Sequence, residues 1–155
     1  MNIEKRSIVI LFVFFLSCGK NIKTVTKVEN MYSKIKKELA PDKRTELFDI
    51  QFHLSNGAII LKGETTSKKA LSRLQDSLKY SQVNFKSEVR ILPDSSLENR
   101  QFAIAKNSVI NIRSNPKHSA ELGTQGLLGM ALRVLDKKGD FYKIQTPDNY
   151  ISWVD

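Results

Sequence analysis

Residues 108–155 read SVINIRSNPKHSAELGTQGLLGMALRVLDKKGDFYKIQTPDNYISWVD, and the spacing of apolar and turn residues here decides the fold. In residues 109–113 the alternation sends Ile110 and Ile112 to one face and Asn111 and Arg113 to the other, the period of a half-buried strand. Asn115-Pro116 cannot continue a regular strand, so residues 114–119 open a long loop. Leu122, Leu127, Leu128 and Met130 follow with Gly123, Gly126 and Gly129 between them, a composition suited to short strands that bend tightly. Leu132 and Val134 alternate into a polar turn at residues 137–140. Residues 141–145 form the next strand, Pro147-Asp148-Asn149 turns the chain, and residues 150–154 close it. Residues 102–106 and 108–113, with Asn107 at a turn between them, form the first strands, and five short strands with regular turn signals predict a small all-β barrel over residues 102–155.

Loops and exposed aromatics decide what such a barrel binds. Phe141, Tyr150 and Trp153 either line a groove between the long loop and the last strands, where flat rings offer apolar contact, or fill the core, because a small barrel needs large side chains inside. Asn111 and Arg113, on the outward face, are placed to hydrogen-bond a peptide carboxylate.

The motifs NIRSNP, GMALRVL, FYKIQTPD and ISWVD, in that order and spacing, resemble a bacterial SH3 (SH3b) domain. The run KHSAELGTQGLLGMALRVLDKKGDFYKIQTPDNYISWVD resembles the N-terminal, non-catalytic region of Bacteroidetes-type NlpC/P60 cell-wall endopeptidases, and KKELAPDKRTELFDI is similar to the region that precedes the barrel there. In that family a papain-like domain after the SH3b modules hydrolyses the γ-D-glutamyl to diamino-acid bond of peptidoglycan stem peptides. The resemblance implies that the long loop, and with it Glu121, contacts a peptide. It does not extend to catalysis. A papain-like site needs a thiolate with a histidine in reach, and the chain has one cysteine, Cys18, and two histidines, His53 and His118.

Upstream, Lys5 and Arg6 precede an uncharged apolar run at residues 8–16, too short to span a bilayer as a helix, and Ser17-Cys18-Gly19 follows. This is the layout of a secretory signal, and Cys18 sits where a lipoprotein signal carries its acylated residue, although Phe15 and Leu16 depart from the usual lipobox. The reading is a signal peptide over residues 1–17, lipidation at Cys18 and a tether over residues 18–25; the alternative is an ordinary signal, or an anchor with a free thiol. A single cysteine forms no internal disulfide. With 25 Lys and Arg against 16 Asp and Glu, the net charge of +9 favours anionic partners such as lipid headgroups or wall polymers. The lysines read as scattered rather than gathered with aromatics, which argues against a nucleic-acid partner.

Residues 26–93 read as a small α/β domain. Thr26 and Glu29 form a capping box that starts a helix with Val28, Met31, Tyr32, Ile35 and Leu39 on one face, ended by Ala40-Pro41. From Glu46 the period becomes two. Asn56-Gly57 is a type I′ hairpin signal, residues 58–63 return antiparallel, and Thr66 caps a second helix carrying Leu71, Leu74 and Leu78. Val83, Phe85, Val89 and Ile91 alternate as a third strand. A right-handed crossover then gives a three-stranded sheet with both helices on one face. The phrase NGAIILKGETTSKKALSRLQDSL is similar to the hairpin and helix of BON-type domains, which implies an envelope-facing spacer or docking role. His53 has no metal-ligand partner at suitable spacing, and residues 94–101 read as a linker. The expectation is an α+β chain, a BON-like segment followed by an SH3-like barrel. It binds peptidoglycan peptides or an envelope protein without catalysis, metal or cofactor, and a lipid at Cys18 holds it to a membrane outside the cytoplasm. The alternative expectation is the N-terminal fragment of an NlpC/P60 endopeptidase lacking its catalytic domain.

Overall fold

The structure, a computed structural model, describes residues 13–155, with side chains from residue 23 onward. The proposed signal segment before residue 13 and the Cys18 side chain lie outside the described residues. Among these, no helix is long and apolar enough to cross a membrane.

Helix α1 spans Val13–Leu39. It runs unbroken through Thr26, which corrects the expected helix start there. The physical reason is that Val25 packs against the same core as Val28 and Ile35, so each upstream residue adds a helical bond to an anchored helix without a new nucleation cost. The far end falls where the sequence places it. Ala40 N–H donates the last bond to Lys36 O at 2.9 Å, and Pro41 disfavours helical geometry at the residue before it.

Strands β1 (Phe48–Ser55) and β2 (Ala58–Thr65) form the hairpin, turned by Asn56 at φ 48° and Gly57 at φ 75°. After α2 (Lys68–Tyr80), β3 (Phe85–Ile91) runs parallel to β2, and the sheet order is β1-β2-β3. Phe48, Ile50, Ile59 and Leu61 meet Val28 and Ile35 of α1 and Leu71, Leu74 and Leu78 of α2 in one core, so both helices cover one sheet face, as expected. The Tyr32 hydroxyl donates to Phe48 O at 2.7 Å and fixes α1 on the first strand. The α2 cap is Ser67, whose hydroxyl accepts from Ala70 N–H, and not Thr66. Thr66 is already used: its hydroxyl accepts Leu47 N–H at 2.9 Å and closes the open end of the hairpin.

The second sheet has six strands: β4 (Phe102–Ile104), β5 (Val109–Arg113), β6 (Leu122–Leu127), β7 (Ala131–Lys138), β8 (Phe141–Gln145) and β9 (Ile151–Val154). Their order is β4-β7-β8-β9-β5-β6. The short strand β4 falls within residues 102–106, where a first strand is expected, although the sheet has six strands and not five. It extends the sheet beyond β7, and β4 and β6 are the two edges. Ile110, Ile112, Leu132, Val134, Ile144 and Val154 form the core beneath this sheet.

Residues 94–101 do not hang free between the units. Asp94 N–H donates to Leu135 O at 2.8 Å, its carboxylate caps a 3-10 turn at Ser95–Leu97, and Leu97 is buried in the second core. The two sheets are joined further by Arg90 of β3, whose guanidinium lies 2.8 Å from both Asp94 and Asp136, and by a Lys143 to Glu64 ion pair.

Candidate functional site

The six residues singled out from sequence divide between distinct surroundings. Asn111 accepts from the Gln125 amide at 2.9 Å across the β5–β6 pair. Arg113 donates to Ala120 O at 2.9 Å and so ties down the long loop from its base; its Nε is buried without a hydrogen-bond partner among the described residues. At the same end Ser114 N–H donates to Glu121 O at 3.0 Å, while the Glu121 side chain is exposed.

The three aromatics do not share one groove. Trp153 stands opposite Arg113 on one side and Lys143 on the other, and the Lys143 ammonium lies 5.0 Å from its ring centroid. Because Lys143 also reaches Glu64 of β2, Trp153 borders the junction with the first sheet. Phe141 is buried, with its ring centroid 5.0 Å from that of His118 in the long loop. Tyr150 packs against the inner core, its hydroxyl 2.5 Å from where a Cβ on Gly123 would be. Local alternation explains the division: in β9, Ser152 and Val154 face inward, which turns Trp153 outward.

A cavity of about 700 Å³ opens instead on the inner side of the second sheet. Its floor is the core itself, with Ile110, Leu132, Val134, Ile144 and Val154, and its walls are β4 and residues 96–107. Charged groups at its rim are Arg100, Lys106, Lys137 and Asp155, three cations against one carboxylate. The Lys137 ammonium lies 5.1 Å from the Tyr142 ring centroid, which sets a cation over an aromatic at one edge. Apolar depth with a few charged groups at the mouth, in a volume within the usual range for small-ligand sites, is the general make-up of a ligand pocket.

Sequence reasoning missed this cavity because its walls come from residues read as linker and first strand. The available signal was Phe102-Ala-Ile104 beside Arg100 and Lys106: an apolar triplet between cations. Phe102 and Ile104 are 80% and 70% exposed, on an edge strand only three residues long.

Two carboxylates near the junction sit well below their ordinary range. Asp94 is lowered to about 2, first by hydrogen bonds from the Ser96 hydroxyl and backbone N–H and then by Arg90. Asp42 is lowered to about 2 chiefly by the Arg44 guanidinium. The same junction pushes Arg90 upward, first through its bond to Asp136.

No curated protein matches the chain. Residues 112–155 match the family described as the bacterial dipeptidyl-peptidase SH3 domain, a match that runs from within β5 through β9 and supports an SH3b domain in this unit.

Proposed function

We propose that this chain is a lipoprotein of the bacterial cell envelope, acylated at Cys18 and facing away from the cytoplasm, whose SH3b unit holds peptidoglycan stem peptides without cleaving them. The observation that carries the reading is the cavity beneath the second sheet, with its cationic rim, in a unit that matches a bacterial dipeptidyl-peptidase SH3 family. Stem peptides alternate small apolar side chains with free carboxylates. Arg100, Lys106 and Lys137 offer charge-assisted hydrogen bonds to those carboxylates, and Asp155 offers an acceptor to an amine. The helix-strand-strand-helix-strand unit, similar to BON-type domains, sets the module at a fixed attitude to the membrane.

Retention of the full chain on purified peptidoglycan tests this. The double variant Arg100→Glu, Lys106→Glu is expected to lose about tenfold or more in affinity, because two attractive charges become repulsive. Phe141→Ala with Trp153→Ala should leave retention largely intact. The reverse pattern, with native circular dichroism in both variants, places the ligand on the aromatic side. No retention of the parent chain removes the reading.

The name of the matching family favours a second reading, in which the chain is the N-terminal part of an NlpC/P60-type endopeptidase whose catalytic Cys and His lie in another segment. A reading frame encoding such a core immediately downstream in the DNA, and hydrolysis of stem peptides by the joined product, would support it.

A further inference from the structure

Lys23, Lys27, Lys34 and Lys37 stand at positions i, i+4, i+11 and i+14 of α1, a spacing that keeps them in one straight row along a helix. All four are exposed. Val28 and Ile35 turn into the core from the opposite side, so the row points away from the folded body. Lys23 joins it only because α1 continues through the residues read as a tether. None of the four pairs with a carboxylate among the described residues. The nearby acid Glu38 is engaged by Arg73 at 2.6 Å, and Lys36, on another flank, bonds the Tyr32 hydroxyl at 3.1 Å. Lys23, Lys27 and Lys34 share a shallow depression with Asn30 and Met31, and no aromatic interrupts the row.

We infer that this face of α1 lies flat on a bilayer and binds the headgroups of anionic phospholipids. The row is about 21 Å long at the helical rise per residue, long enough to meet several headgroups at once. Unpaired lysines lose less on meeting an anion than lysines already in ion pairs, and each one near an anionic surface strengthens binding about fivefold. A nucleic acid is the poorer match, since the row offers no ring on which a base can stack. The inference rests on the envelope reading only in requiring a membrane nearby. It concerns the helix and not the peptide cavity, so peptidoglycan retention and vesicle binding can fail separately.

The test compares binding of the full chain to vesicles of phosphatidylcholine alone and to vesicles with about one third phosphatidylglycerol. The ratio of the two affinities cancels any insertion by the N-terminal apolar run. The parent chain should prefer the anionic vesicles by roughly tenfold or more at low salt, and the preference should shrink as salt is raised. The variant Lys23→Gln, Lys27→Gln, Lys34→Gln, Lys37→Gln should bring the ratio close to one, whereas the same substitutions with Arg should keep it. A control, Lys68→Gln, Lys69→Gln, Lys117→Gln, Lys138→Gln, removes equal charge elsewhere and should also keep it. Equal binding of the parent chain to both vesicles overturns the inference. So does an equal loss in the row and control variants, which reports net charge only, or a row variant that loses binding to wall polymer or duplex DNA but not to vesicles.

Discussion

Gly63 shows how one residue can hold the first sheet together. It lies within β2 at φ +136°, and a Cβ added there would run into the carbonyl oxygen of Asp49 on the neighbouring strand. Neither the backbone conformation nor the space admits a side chain. Gly63→Ala is therefore expected to cost about 3 kcal/mol, read as a lower urea midpoint, whereas substitution at an exposed strand position such as Gln51 should change it little. The requirement is invisible in the sequence, where the glycine simply follows a hydrophobic strand, because the clash is with a residue on another strand. The candidate site was legible to a similar degree. Outward placement of Asn111 and Arg113 followed from alternation alone, but that Arg113 is committed to Ala120 O and that Phe141 rests on His118 depends on how the long loop folds back.

At the scale of elements, a single bulge in β7 decides which groups meet at the junction. The pairing with β8 shifts between Val134 and Asp136, so Leu135 is the extra residue and the alternation running through Leu132 and Val134 is broken. Strict alternation would send Asp136 inward. The bulge turns it to the outer face beside Lys143 and within 2.8 Å of Arg90. Leu135 itself is fully buried although it belongs to neither core cluster, and its carbonyl takes the Asp94 N–H. Leu135→Ala should thus cost about 3 kcal/mol, as much as a leucine inside a core, measured by urea unfolding; a loss below about 1 kcal/mol would show that the bulge contributes little packing. Periodicity carried the order of elements, the Asn56-Gly57 turn and both apolar faces, since these are local signals. It gave no sign of the bulge, of the pairing of β4 with β7 at the sheet edge, or of the α1 residues before Thr26, because each is decided by packing between distant segments.

At the scale of the whole molecule, the two sheets are expected to unfold together near neutral pH and to part in acid. The segments that cross between them carry the carboxylates held lowest. Asp42, held by Arg44, shapes the loop whose Arg44 carbonyl accepts Ile151 N–H at 2.6 Å and whose Thr45 carbonyl accepts from Gln145 at 3.2 Å. Asp94, held by Ser96 and Arg90, fixes the segment that bonds Leu135. A carboxylate whose folded value is depressed stabilises the fold above its unfolded value, and that contribution disappears as the pH falls through the folded value. With ordinary values of 3.8 and folded values of about 2, the coupling should hold above about pH 4 and fade between about pH 4 and 2. Fluorescence of Trp153, the sole tryptophan, reports the second sheet, and far-ultraviolet circular dichroism is dominated by α1 and α2 of the first. Their urea transitions should coincide at pH 7, as a single cooperative unit requires, and separate at pH 3. Arg90→Gln leaves Asp136, with a side chain only 12% exposed, without its guanidinium; it should cost about 2 kcal/mol after allowance for the half-exposed arginine and bring the separation to higher pH. Transitions that already differ at pH 7 in the parent chain, or that still coincide at pH 3, would refute the coupling.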